Sequence, residues 1–285
     1  MLRPATFDYH RPSSVTEAVQ LLSANPGAKA IAGGHSLLPA MNLRLATPDT
    51  LVDIGRIAEL QGISVSNGAL RIGALTTHSD VAGNPDVKTH CPALSSACSQ
   101  VGDPQVRNWG TLGGNLAHAD PASDPPTVAV ASNATIHVQG PTGARSINAE
   151  NFFVDLFTTD LQPGELVTAI EIPSQQGKKS GYAKLEHPAS RYAVVGVCVV
   201  LELSGTTCQN ARVAVGGATA KATRSTGAEA ALNGTTLDGA ALDAAANALI
   251  NEVGDNVLGD IYANADYRRA MVGVYLRKAV QAALA

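Results

Sequence analysis

At 285 residues the chain is long enough for two domains of about 150 residues each, and it can bury a core without disulfides or metal. Charged residues are only 15% and the formal net charge is −4, which argues against a nucleic-acid binder with a basic stripe. A hydrophobic content of 45% excludes disorder, and the longest apolar run, 193–201, is far short of the roughly 18 residues that span a bilayer.

The stretch Met1 to Tyr9 has no apolar leader, so the cytoplasm is the expected compartment. Ser14-Val15-Thr16-Glu17 is a capping box, and Val15, Ala18, Val19 and Leu22 recur at helical spacing. That helix should end near Asn25-Pro26-Gly27. A strand at 28–31, a loop at 32–36 and a strand at 51–54 complete a first α/β unit. Strands at 63–66 and 70–73 flank Asn67-Gly68, a strong hairpin signal. Thr77 can cap a helix, and 92–101 reads as another. A polar, glycine-rich loop spans 110–115. Asp124-Pro125-Pro126 reads as an N-cap followed by proline at the first helical position. Strands near 134–138 and 166–172 close this region.

The polar segment 174–181 is the expected boundary. Strands at 182–185, 194–203 and 211–216 follow, and from Gly227 the chain is alanine-rich and helical. The expected fold class is α+β. A first domain covers 1–175, divided near 58, and a smaller C-terminal domain of three antiparallel strands plus a helical bundle covers 176–285. Cys91, Cys98, Cys198 and Cys208 form no C-x-x-C pair, and the seven histidines include no H-E-x-x-H, so no metal site is expected on this chain.

Among 27 glycines, two pairs stand beside hydroxyl residues: Gly33-Gly34 with Ser36, and Gly113-Gly114 with Thr111. Loops without Cβ atoms can turn consecutive N–H groups toward an anion and let a diphosphate lie on the backbone. Neither loop is G-x-G-x-x-G or a P-loop. Each pair alone reads as a tight turn; the two together, each with a hydroxyl neighbour and no basic phosphate clamp, point to a diphosphate site held by backbone.

Ala32-Gly33-Gly34-His35-Ser36 and Thr111-Leu112-Gly113-Gly114-Asn115 resemble the paired flavin loops of the FAD-binding medium subunit of molybdenum hydroxylases. The family includes the carbon monoxide dehydrogenase medium subunit and the flavin domain of xanthine dehydrogenase. The resemblance extends over the whole chain, from Phe7-Asp8-Tyr9-His10-Arg11-Pro12 through Asp120-Pro121-Ala122-Ser123-Asp124 to Tyr267-Arg268-Arg269. It implies a two-part PCMH-type FAD-binding domain and non-covalent FAD, with its diphosphate cradled by Ala32 to Ser36 and Thr111 to Asn115. It also implies cofactor contacts at four further positions. Asp124 would approach the ribityl and phosphate portion, or serve only as the helix cap. Leu166 would offer its backbone, or be an ordinary core residue. Lys184 would face the cofactor, or be a solvated strand lysine. Tyr192 would lie against the isoalloxazine ring, or be an exposed loop residue. Trp109 is expected to pack beneath the second loop. His35 raises a covalent alternative, seen in berberine-bridge-type oxidases.

On this resemblance the chain is an electron-transfer subunit. Its partners would be a small [2Fe–2S] subunit and a large molybdopterin subunit, with FAD passing electrons to an external acceptor. The alternatives are a stand-alone PCMH-type flavin oxidase or a module without flavin. Valine at Gly33 or Gly113 is expected to abolish FAD retention without unfolding the chain.

Overall fold

In the computed structural model, which describes residues 3–285, the first element is β1 (Asp8–His10). Met1 and Leu2, part of the stretch read for a leader, lie outside the described residues. Ser14 caps α1 (Val15–Ala24): its Oγ accepts the Glu17 N–H at 3.2 Å, and the Glu17 carboxylate accepts the Ser13 N–H at 2.7 Å. The reciprocal bond falls one residue earlier than the S-x-x-E pattern places it. β2 (Ala28–Ile31), α2 (Leu37–Asn42) and β3 (Thr50–Asp53) follow, and the strands form a parallel sheet in the order β1-β3-β2. Val15, Ala18, Val19 and Leu22 bury against Val52 and Ile54, as the spacing predicts. Hydrophobic periodicity foretells neither β1, whose three residues are all exposed, nor α2, a single short turn-and-a-half.

The second body begins with the predicted hairpin, β4 (Ile63–Ser66) and β5 (Ala69–Gly73). Asn67 and Gly68 sit at φ +51° and +75°, the two positive values that a type I′ turn requires. A series of short helices follows: α3 (His78–Gly83), α4 (Pro85–His90), α5 (Pro92–Ser99), α6 (Pro104–Trp109), α7 (Leu112–His118) and α8 (Asp124–Ala131). The chain then forms β6 (Thr135–Gly140), β7 (Gly143–Asn148), α9 (Ala149–Phe152), β8 (Phe153–Asp155), β9 (Thr158–Thr159) and β10 (Leu166–Pro173). An antiparallel sheet in the order β4-β5-β10-β6-β7 results. Ile72, Ile136, Val138 and Ile170 point from it into one core with Leu94, Leu112 and Leu116 of the helices.

The C-terminal body carries β11 (Lys179–Glu186), β12 (Ala193–Ser204), β13 (Thr207–Gly216) and β14 (Thr223–Arg224) in one antiparallel sheet, then α10 (Thr226–Leu232), α11 (Gly239–Val253) and α12 (Ala265–Leu284). The sheet therefore has four strands where the sequence pattern predicts three; β14 is too short to show a pattern. The unbroken apolar run of β12 has a direct cause. Val195, Val197, Val199 and Leu201 face α10–α12, whereas Cys198 and Val200 face the core shared with α5 and α8. A strand covered on both faces loses its polar alternation. Buried Arg268 of α12 donates to the carbonyls of Val194 and Gly217, each at 2.9 Å, and so ties the start of β12 to the end of β13. Among the described residues no helix is long and apolar enough to cross a membrane.

Candidate cofactor-binding site

The loop after β2 leaves a run of backbone donors open. Gly34 holds φ +72°, and among the described residues the N–H groups of Gly33, Gly34, His35 and Ser36 donate to no other part of the chain. Consecutive amides left without partners cost stability unless water or a ligand takes them. His35 and Ser36 are exposed, so the donors are reachable. The His35 ring leans back on its own loop, with Nδ1 at 3.0 Å from the Gly33 carbonyl oxygen.

The second glycine pair behaves differently. Residues 112–115, read from the sequence as loop, are the first turn of α7, capped by Thr111, whose Oγ accepts the Gly114 N–H at 3.2 Å. Leu112 N–H donates to the Thr76 carbonyl at 2.9 Å, Gly113 N–H to Ala74 at 2.9 Å and Asn115 N–H to Thr111 at 3.0 Å. Those amides are fully occupied, which corrects the picture of two equivalent anion-gripping loops. Gly113 is glycine for packing: a Cβ there would lie 2.8 Å from both Cα and the carbonyl oxygen of Ala74. Valine at Gly113 therefore damages the fold itself, contrary to the sequence expectation. The segment still offers the exposed backbone of Gly114 and one unsatisfied group. Asn115 Nδ2 donates to Ser123 at 3.1 Å, but its buried Oδ1 has no hydrogen-bond partner.

The two segments touch. A Cβ on Gly33 would stand 1.9 Å from the Trp109 carbonyl oxygen and 3.0 Å from Gly110 Cα. Ala32 faces Gly114, where its Cβ lies 3.8 Å from the position a Cβ would take. Trp109 does not pack beneath this junction as expected; its side chain is 66% exposed and only its carbonyl braces Gly33. His78, which the sequence reading passed over, fills that place. Its N–H donates to the Gly110 carbonyl at 2.9 Å, and its ring is buried, which lowers its pKa to about 4 with a further push from Arg107. Gly110 leaves room for that ring, since a Cβ would meet His78 Cδ2 at 2.9 Å.

Asp124 is the first residue of α8, not its cap; Ser123 holds the N-cap position. The Asp124 carboxylate is buried, accepting Tyr182 OH at 2.6 Å and pairing with Lys184 Nζ at 3.0 Å. Burial pushes its pKa up, opposed by the Lys184 charge and by the Tyr182 hydrogen bond. Lys184 is no solvated strand lysine: its side chain is 1% exposed, and Nζ also donates to the carbonyls of Gln100 at 2.8 Å and Arg191 at 2.7 Å. Three bonds use all the donors of an ammonium, leaving none for a ligand. Tyr192 stands at this corner, 45% exposed, with its pKa raised by partial burial and by the carboxylates of Asp120 and Asp124. Leu166 is set apart from the corner. Its side chain is buried with Val15, Leu22 and Leu75, in the core that joins the first body to the second.

Two contacting backbone segments, the first with four consecutive unpartnered amides, are the arrangement by which a fold can hold an anionic cofactor. Residues 5–175 match the family model described as the FAD binding domain in molybdopterin dehydrogenase, and residues 180–283 match the CO dehydrogenase flavoprotein C-terminal domain. The chain belongs to this family of FAD-binding medium subunits of molybdenum hydroxylases. It is 40% identical to the carbon monoxide dehydrogenase medium chain of Hydrogenophaga pseudoflava, covering 99% of this chain and 98% of that one. It is 38% identical to the glyceraldehyde dehydrogenase medium chain of Sulfolobus acidocaldarius, covering 97% and 98%. Its structure superposes on carbon monoxide dehydrogenase from Hydrogenophaga pseudoflava with a TM-score of 0.95, covering 99% and 98% at 40% identity. Quinoline 2-oxidoreductase from Pseudomonas putida 86 gives 0.92 at 32% identity, covering 99% and 98%.

Proposed function

We propose that this subunit carries electrons through FAD from a [2Fe–2S] partner to an external acceptor, while a large molybdopterin partner performs the hydroxylation. The observation that carries the reading is the run of unpartnered amides from Gly33 to Ser36, pressed by Gly33 against the Trp109–Gly110 backbone. Those residues fit a diphosphate, and the orphaned Asn115 Oδ1 fits a hydroxyl donor beside it. FAD supplies the redox chemistry, taking up two electrons and releasing them singly or together. The chain's own work is to bind and orient. The amides of the Gly33 loop grip the diphosphate without a lysine or arginine clamp, in keeping with a chain of 15% charged residues. FAD is held non-covalently, with His35 turned back on its own loop. Tyr192, half-exposed on its turn, would stack on the flavin ring and limit access to it. Thr111, Leu112, Gly113 and Gly114 set the second wall through packing.

Relatives of nearly equal identity are named for carbon monoxide, glyceraldehyde and nicotine at 40%, 38% and 36%. Such likeness across different substrates supports a substrate pocket on another chain. Purification of the tagged chain from its host tests the proposal: a small iron–sulfur chain and a large molybdenum chain should accompany it. A yellow monomer that oxidises substrate unaided would instead establish a stand-alone flavin oxidase.

A further inference from the structure

We infer that the buried Asp124–Lys184 pair is a positioning device for Tyr192, acting through the backbone of Arg191, and is not itself a ligand of the cofactor. The inference rests on the proposed placement of Tyr192 against the flavin ring. Lys184 Nζ joins three elements: the C-terminal end of α5 through the Gln100 carbonyl, the first residue of α8 through Asp124 Oδ2, and the β11–β12 turn through the Arg191 carbonyl. Tyr182 OH holds the other carboxylate oxygen of Asp124 at 2.6 Å, so the anchor is itself fixed.

The turn needs such an anchor. Arg191, a non-glycine residue, sits at φ +61°, a conformation that L side chains adopt at a cost. Within the turn, the Arg191 N–H donates to the His187 carbonyl and the His187 N–H to the Tyr192 carbonyl, each at 2.8 Å. Immediately after Tyr192, the Ala193 N–H donates to the Ala122 carbonyl at 3.0 Å. Tyr192 is thus pinned from both sides onto the segment that enters α8, by Lys184 through Arg191 and by Ala122 through Ala193. A buried ion pair is a poor source of net stability compared with apolar packing, whereas it fixes geometry well. Here it lies under the turn that carries Tyr192, which is 45% exposed.

Four variants of the full chain test this: K184Q, the doubly neutral D124N/K184Q, which leaves no uncompensated buried charge, Y192A, and the combination K184Q/Y192A. A stacked phenol quenches flavin emission, so Y192A at saturating FAD should brighten bound flavin. K184Q and D124N/K184Q should brighten it too, and K184Q/Y192A should be no brighter than Y192A, as expected for residues acting through one another. In the FAD-free chain, the amides of His187 and Arg191 should exchange about tenfold faster in D124N/K184Q, while those at 195–201 in β12 keep wild-type protection. Quenched flavin in both lysine variants beside a bright Y192A would overturn the inference. So would additive brightening, unchanged exchange in the turn, or equal acceleration throughout β12. If Y192A itself stays dark, the placement of Tyr192 on the flavin fails, and the exchange pattern alone decides whether the pair positions the turn.

Discussion

Gly33→Ala is the sharpest perturbation of the site, because the obstacle is backbone. The new Cβ would stand 1.9 Å from the Trp109 carbonyl oxygen and 2.6 Å from its carbon. Ordinary contact begins near 3.4 Å, so one strand of chain must retreat by about 1.5 Å, and no flexible side chain is available to yield. A displacement of that size carries the Gly33–Ser36 amides out of hydrogen-bond range of a fixed diphosphate. Losing two hydrogen bonds to a charged group costs about 3–6 kcal/mol, which is roughly a 10²- to 10⁴-fold loss of FAD affinity. Titrating FAD into the deflavinated variant, followed by flavin emission, reads that loss, and a thermal melt shows that the fold persists. Affinity within about threefold of wild type would refute the reasoning, since a threefold change is under 1 kcal/mol.

Gly113→Ala should act on stability instead. Overpacking against Ala74 costs about 1–3 kcal/mol, and the melting temperature should fall by roughly 3–10 °C; an unchanged melt would show that Ala74 yields freely. His78 makes the chain acid-sensitive. Its folded pKa of about 4 lies below the unfolded 6.5, so the unfolded chain binds the proton first. Stability is therefore lost as pH falls from 6.5 toward 4, by about 3 kcal/mol in all. His78→Asn should remove that part of the slope in melts taken across the window, and an unaltered slope would contradict the assignment. Lys184→Met strands the buried Asp124 carboxylate and should destabilise by about 3–5 kcal/mol, with much of the loss recovered in D124N/K184M. Equal denaturation midpoints for the single and double variants would argue that Asp124 carries no charge to strand.

Local signals read well from the sequence. The Ser14 cap with its apolar spacing, the Asn67-Gly68 turn and the β12 run each announce their structure within a few residues. The site reads less well, because its geometry depends on contacts across the chain. Gly113 and Gly114 lower helix propensity and so resemble a loop, yet at the start of α7 they follow the Thr111 cap, Gly113 against Ala74 and Gly114 against the Thr111 hydroxyl. Lys184 reads as a surface residue on an alternating strand. It is buried because helices cover both faces of its sheet, and its partners at Gln100, Asp124 and Arg191 are remote or carbonyl groups without a side-chain signature. Asp124 followed by Pro125 imitates a cap, although the chain places Ser123 there. His78 gives no local sign that it supports Gly110. The strand-and-loop pattern at 28–36 matches the structure, where β2 ends at Ile31; only the structure separates the free amides of that loop from the occupied ones of the second segment.

The central claim is that FAD rests on the amides of the first loop, with the second segment serving as its wall. Amide hydrogen exchange on the deflavinated and FAD-saturated chain, resolved by residue, tests it directly. Gly33, Gly34, His35 and Ser36 should exchange freely without FAD and become protected with it, whereas Leu112 to Asn115 should be protected in both states. Free exchange at 33–36 under saturating FAD would contradict the account.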